Sequence, residues 1–245
     1  MSARSPLESP PALAAPGRAE PDYPAWCRPA RRRRRRQRQG WRCGLSRTQR
    51  RLKRGLDLAL CLLLGLPAAL VVGAAALAVR LESHGSPFFA QPRVGENGRR
   101  FRMWKLRTMV QGAERMEAQL RHLSELPWPD FKISRDPRIT RVGRWLRRTS
   151  LDELPQLWNV LCGEMSWVGP RPTSFGLERY ELWHTERLAL PPGITGLWQI
   201  LERAQCNFDR RLRLDLAYIR TWGLRLDVRI LAATVGAVWS GRGAK

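Results

Sequence analysis

The sequence predicts a mainly α-helical protein with one small β-hairpin, a monotopic membrane protein held by one re-entrant, proline-kinked helix. Three observations carry that expectation. Positions 58–79 contain no charged residue, and about 20 apolar residues suffice to cross a bilayer as a helix. Asn97-Gly98 stands between two strand-like runs, the dipeptide most typical of a hairpin turn. Much of the remaining chain spaces its apolar residues at helical intervals among arginines.

Taken in order, residues 1–27 are rich in Pro, Ala and Ser without apolar periodicity, which predicts a disordered tail. A basic run follows, with Arg31 to Arg36 consecutive. The apolar segment begins more than fifty residues in, too late for a signal peptide. Pro67 lies near its middle, where it removes a backbone hydrogen bond and bends the helix. Basic residues flank it on both sides, Lys53 and Arg54 before it, then Arg80, Arg93, Arg99, Arg100, Arg102, Lys105 and Arg107. Positive flanks stay on the cytoplasmic side. A bent helix that enters and leaves by one face satisfies both flanks, whereas a straight span satisfies one.

The hairpin is expected within residues 87–109, and a short helix over 112–126. Residues 136–168 read as mostly helical. Pro155 belongs in a first turn, so a helix should start near Leu151 or Asp152. From Phe208 to Trp239 the pattern suits amphipathic helices, lying on an anionic surface or packed on the core.

The net charge is +23, and fourteen of the basic side chains fall within residues 28–54. What remains is still basic, so both parts favour an anionic partner: membrane lipid, nucleic acid or a phosphorylated substrate. The five cysteines form no C-x-x-C pair, which argues against a disulfide framework or a zinc site.

Against this background the adjacent acids Asp152 and Glu153 are conspicuous. Ser150-Leu151-Asp152-Glu153 fits a capping box, and acids at a helix N-terminus are stabilised by the macrodipole. The same position has a chemical reading. Backbone N–H groups and neighbouring guanidinium groups would hold Asp152 ionised and draw a phosphate towards it. An ionised carboxylate can act as a nucleophile and form an acyl phosphate. A divalent cation on Glu153, with arginines, would offset the repulsion between carboxylate and diphosphate.

Five ordered blocks carry a resemblance: "KRGLDL" at 53–58, "RVGENGRRFRMWKLRTM" at 93–109, "DPRITRVGRWLRRTSLDELPQLWNVLCGEMSWVGPRP" at 136–172, "PPGITGLWQI" at 191–200 and "RLRLDLAYIRTWGLRLDVRIL" at 211–231. Over Lys53 to Ala244 the chain resembles the bacterial sugar transferases, monotopic phosphoglycosyl transferases that start surface-glycan and exopolysaccharide assembly. The resemblance implies a largely helical fold with a re-entrant membrane helix and a catalytic domain on the cytoplasmic face of the bacterial inner membrane. It implies transfer of a sugar 1-phosphate from a UDP-sugar donor to undecaprenyl phosphate, with release of UMP. Asp152 matches the nucleophile that carries the phosphosugar, and Glu153 the acid that helps place Mg²⁺, with Asp152 beside it. Lys105, Arg147 and Arg171 match basic positions around the donor phosphates. Arg107, Arg144, Trp198, Gln199 and Asp215 are further candidates, although an acid such as Asp215 among arginines also suits a helix salt bridge. Leu66-Pro67 replaces the Ser-Pro usual at the helix break.

The expected organisation is a tail over 1–49, a membrane-associated helix over 50–82 and a catalytic domain over 83–245. Two other readings remain open on sequence. One is a glycosyltransferase that passes the sugar alone and releases UDP. The other is a membrane- or nucleic-acid-binding module built on the Arg-rich arm. The arm lies outside the five blocks and beside an apolar segment. It is therefore read as an anchor for anionic lipid, with no specific nucleic acid. A homodimer is left open, as are the sugar and the pathway.

Overall fold

The computed structural model describes residues 44–125, 133, 135–173, 182–201 and 208–239. The tail expected for 1–49 lies, up to residue 43, outside them. The apolar segment is one helix, α1 (Arg47–Glu82). Its start is written in the sequence as a capping box. Ser46 Oγ accepts from the Gln49 backbone N at 3.2 Å, and Gln49 Oε1 accepts from the Ser46 N at 2.9 Å. At 36 residues it is ~54 Å long, from ~1.5 Å rise per residue. Among the described residues it is the one helix long and apolar enough to cross a membrane. Pro67 lies inside it, and helical structure continues on both sides. Loss of one N–H bond need not end a helix whose other bonds hold.

The buried positions of α1 are Lys53, Asp57, Cys61, Ala75 and Val79, spaced by four within each half and therefore on one face in each. Leu62, Leu63, Leu66, Leu70, Leu77 and Leu81 are exposed. Lys53, expected in a solvated basic flank, is buried instead. Its Nζ donates to Val168 O at 2.8 Å, Tyr218 Oη at 3.1 Å and Asp227 Oδ2 at 2.9 Å. Tyr218 and the Trp222 indole also donate to Asp227, at 2.7 and 3.1 Å. A buried charge costs little only when paired and hydrogen-bonded in this way. Asp57 accepts from Ser166 Oγ at 2.9 Å and Trp167 N at 3.0 Å. The far end of α1 is clasped too, because Glu82 accepts from the backbone N of Arg141 and Val142 at 2.8 and 3.0 Å.

The hairpin forms as expected, β1 (Phe88–Val94) antiparallel to β2 (Arg100–Leu106), with Phe88 opposite Leu106 and Val94 opposite Arg100. Asn97 and Gly98 both have positive φ, 53° and 77°, as the turn demands. Of the segment expected to be helical over 112–126, the described residues, up to 125, supply only α2 (Glu117–Leu120) and one 3-10 turn. Residues 136–168 depart further from expectation. Helix α3 (Arg141–Thr149) ends at Ser150, which is left-handed with φ 58°. A 3-10 turn follows over Leu151–Glu153, then α4 (Gln156–Leu161). The chain then turns into strand β3 (Ser166–Val168), which pairs in parallel with β4 (Gly193–Thr195). These three-residue strands lie too close to turns for period-2 alternation to mark them.

The C-terminal part is α5 (Leu197–Leu201), α6 (Phe208–Thr221) and α7 (Leu224–Trp239). Of the two readings open for these helices, core packing is the one α6 takes, burying Leu212, Leu214, Leu216, Ala217, Tyr218 and Ile219. All of these but Leu212 join Leu190, Leu197, Trp222 and Ile230 in the largest core cluster. Two smaller clusters sit under α1. Cys61 meets Phe101, Met103 and Leu157 in one, and Ala75 and Val79 meet Leu106 and Leu146 in the other. Hairpin, α3 and α4 are thus seated along the length of α1.

Candidate active site

Three elements bring the site together. Strand β2 carries Lys105, the turn after α3 carries Asp152 and Glu153, and the segment after β3 carries Arg171. Arg171 stands between Pro170 and Pro172, which restrict its backbone. Behind it, β3 and β4 come so close that a Cβ on Gly193 would lie 2.1 Å from the Gly169 N. That approach requires glycine and sets where Arg171 emerges.

Glu153 is fully engaged. Its Oε1 accepts from Lys105 Nζ at 3.0 Å, its Oε2 accepts from Arg171 at 3.1 Å, and a second Arg171 nitrogen also donates to Oε1. Burial alone would raise this carboxyl. Arg171 and Lys105, by charge and by hydrogen bond, outweigh it and hold Glu153 well below the usual carboxylate range. Asp152 differs. It is 9% exposed and accepts no hydrogen bond from the described residues. Burial, with the charge of Glu153 adding to it, pushes its carboxyl up to about 6 against the opposing pull of Lys105, Arg147 and Arg171.

Two expectations need correcting here. Asp152 and Glu153 do not open a long helix, because they occupy a single 3-10 turn and α4 begins at Gln156. Nor do they form a capping box, since Ser150 is the left-handed C-cap of α3 and its side chain makes no capping bond. The positive field at Asp152 comes from side chains rather than a macrodipole. Those side chains fall short of holding Asp152 at an ordinary carboxylate value.

Both acids line a cleft of about 860 Å³. Lys105, Arg107, Arg147, Arg171, Trp198 and Gln199 line it as well. Arg147 is anchored through Nε to Thr108 Oγ1 at 2.9 Å. Gln199 Nε2 donates to Ile194 O at 3.2 Å, and Trp198 stacks under Arg211, 5.4 Å from ring centre to guanidinium carbon. Arg107 is structural at its head group. Its two terminal nitrogens donate to Ser83 O, Ser83 Oγ and His84 O, at 2.8, 2.9 and 2.7 Å, and so close the end of α1.

Arg144 is exposed on α3 and does not line the cleft. Asp215 does not line it either. It is buried against Arg187 at 2.7 Å, a partner 28 residues away rather than a helix neighbour. Burial pushes its carboxyl up to about 7 although Arg187 and Arg211 oppose this. Arg187 also donates to the Arg171 carbonyl, so Asp215 reaches the site only through two intermediaries. Arg93 and Arg138 line the cleft without having been singled out for it. Both fall inside recognisable blocks, but among forty arginines residue type alone carried no signal. Arg138 is held by Asp136, at 2.7 Å between its terminal nitrogen and Oδ2.

No group of three or more His, Cys, Asp or Glu side chains among the described residues is placed to hold a metal. A magnesium ion, however, takes one or two carboxylates and completes its shell with substrate phosphates and water. Asp152 and Glu153 are the adjacent carboxylates in the cleft that such an ion could take, and Lys105 and Arg171 already donate to both Glu153 oxygens.

Comparison with known proteins bears on this geometry. The family model described as bacterial sugar transferase matches residues 48–241. The galactosyl transferase CpsE of Streptococcus agalactiae serotype III (strain NEM316) is 43% identical over 172 residues, 69% of this chain and 38% of that protein. The UDP-galactose-lipid carrier transferase of Erwinia amylovora is 45% identical over 165 residues, 65% of this chain and 35% of its own. The exopolysaccharide production protein ExoY of Sinorhizobium fredii (strain NBRC 101917 / NGR234) is 39% identical over 170 residues, 67% of this chain and 75% of its own. The chain thus spans little more than a third of the first two relatives. A match from the first turn of α1 to beyond the end of α7 takes in every element that builds the cleft, and the chain belongs to the bacterial sugar transferase family.

Proposed function

We propose that this chain is a phosphoglycosyl transferase that moves a sugar 1-phosphate from a UDP-sugar to undecaprenyl phosphate and releases UMP. The observation that carries this reading is the contrast between the two acids. Glu153 is tied down by Lys105 and Arg171, while Asp152 is buried, accepts no hydrogen bond from the described residues and is surrounded by cations. Such a carboxylate is poorly solvated and therefore reactive once ionised. Relatives whose names include a UDP-galactose-lipid carrier and undecaprenyl-phosphate glucose phosphotransferase support the donor and acceptor classes.

In the first step an Asp152 oxygen attacks the sugar-bearing phosphorus of the donor. The bond from that phosphorus to the bridging oxygen breaks, and UMP leaves with the oxygen. Lys105, Arg147 and Arg171 bind the diphosphate and neutralise charge developing on the leaving phosphate. Glu153, with Asp152 beside it, would hold Mg²⁺, which when bound would supply further charge neutralisation. In the second step a phosphate oxygen of undecaprenyl phosphate attacks the acyl phosphate. The Asp152–phosphorus bond breaks and the carboxylate is restored. We place the domain on the cytoplasmic face of the inner membrane, where α1 enters the bilayer and the basic arm meets anionic lipid.

The test uses the full chain with a panel of UDP-sugars and Mg²⁺ but no acceptor. UMP should appear, up to one equivalent, with the mass of a sugar phosphate added at Asp152. Asp152→Asn should abolish both without unfolding the protein. A burst of UDP, or full activity in Asp152→Asn, would instead favour direct glycosyl transfer.

A further inference from the structure

Arg171 owes its place in the cleft to bonds made on its own stretch of backbone. Successive carbonyls there each accept from a residue distant in sequence. Pro170 O accepts from Gly193 N at 2.9 Å, Arg171 O from the Arg187 guanidinium, and Pro172 O from Arg93 at 3.4 Å. The bond to Arg187 involves a further partner. The terminal nitrogen that reaches the Arg171 carbonyl also donates to Asp215 Oδ2, at 2.7 Å. Asp215 lies on α6 and Arg187 in the 3-10 stretch Leu182–Ala189. The pair therefore ties a C-terminal helix to the segment that carries a cleft arginine.

The surroundings give the carboxylate a task. Behind the cleft lies a smaller cavity of about 150 Å³, lined by Arg93, Arg171, Arg187 and Arg211. Guanidinium groups around so small a space repel one another. Asp215 opposes this, paired with Arg187 and within the field of Arg211. Its side chain and that of Arg187 are 2% and 5% exposed. Well-packed apolar side chains often stabilise a core as much as a buried ion pair does. What this pair adds is direction, because it holds Arg187 against the Arg171 carbonyl rather than out in the cavity.

Resting on the donor-binding role proposed above for Arg171, we infer that Asp215 is a positioning residue that acts through Arg187 to fix where Arg171 meets the donor diphosphate. Asp215 touches neither substrate nor the reacting atoms. It orients Arg187, Arg187 holds the Arg171 main chain, and the Arg171 side chain reaches Glu153 and the cleft. Arg147 is independent of this relay, since it is anchored on Thr108 instead.

The test is a cycle of variants read by UDP binding, with the full chain in nanodiscs and titration calorimetry. Asp215→Asn keeps the size and an acceptor oxygen and removes the charge. It should weaken UDP binding fivefold or more, and Arg171→Ala should weaken it tenfold or more. On the Arg171→Ala background, Asp215→Asn should change the affinity less than twofold, because the residue it acts through is gone. On the Arg147→Ala background its full effect should return. Partial unfolding lowers the binding stoichiometry and leaves the dissociation constant of the folded molecules unchanged, which tells a merely structural role apart. Unchanged affinity in Asp215→Asn overturns the inference. So do equal losses on both backgrounds, or an Arg171→Ala protein that binds UDP as the wild type does. The donor-only assay reports separately on the chemistry. Release of UDP rather than UMP there, with the binding cycle as expected, would leave Asp215 as the positioning residue and remove the covalent route.

Discussion

Asp152 and Glu153 are neighbours in sequence with opposite electrostatics, and the difference predicts a pH response. Glu153 stays ionised because two cations hold its oxygens. Asp152 has none of those bonds, so burial pushes its carboxyl up to about 6. In the proposed mechanism Asp152 attacks in its ionised form, so UMP release from donor alone should rise as pH passes through about 6 and level off above it. The same shift has a cost in stability. The folded state binds the proton more tightly than the unfolded chain, so stability is lost as pH rises from the unfolded value near 3.8 through the folded value near 6. Asp152→Asn removes that cost, on the order of 3 kcal/mol at about 1.4 kcal/mol per unit. Urea unfolding should therefore show the variant more stable than wild type at pH 8 and equal to it near pH 3.5. Equal stability at both values would mean that Asp152 is better solvated than its burial indicates.

At the scale of elements, polar side chains bind α1 to the domain. Lys53 and Asp227 are both almost fully buried, 3% and 0% exposed, and each is satisfied by the other, Tyr218 and surrounding groups. Removing one partner strands the other charge. Lys53→Met should cost about 3–5 kcal/mol in thermal or urea unfolding. Lys53→Met combined with Asp227→Leu should recover part of that loss, because no charge is left unpaired. If the double variant were as unstable as the single effects added, the bonds to Tyr218 and Val168 would outweigh the ion pair. Arg107 does comparable work at the other end, closing the last turn of α1 at Ser83 and His84.

At the scale of the molecule, the two clasped ends of α1 predict its topology. Lys53 and Asp57 at one end of α1, and Glu82 at the other, bond to the same domain. A helix so held cannot place its two ends on opposite sides of a bilayer unless the domain detaches from one of them. Tags on the N and C termini should both be accessible only from the cytoplasm in intact cells. Because the clasps as well as Pro67 act on α1, Pro67→Leu should leave that pattern unchanged. Periplasmic access to the N-terminal tag in either protein would establish a spanning helix.

The sequence by itself determined the elements whose signals are local. A long uncharged run, an Asn-Gly turn and helical spacing over 208–239 each depend on residues close together in the chain, and each appears where expected. The motif blocks likewise pointed to the acids and to Lys105, Arg147 and Arg171, because residue type and spacing survive without coordinates. Only the tertiary structure decided what those side chains touch. It turned the expected helix start at Asp152 into a 3-10 turn, paired β3 with β4 across 27 residues from Ser166 to Gly193, and moved Lys53 from a basic flank into the core. It also gave Arg107 to the end of α1 and Asp215 to Arg187. All of these depend on partners distant in sequence, and the energy of a buried charge is set by such partners rather than by its neighbours in the chain.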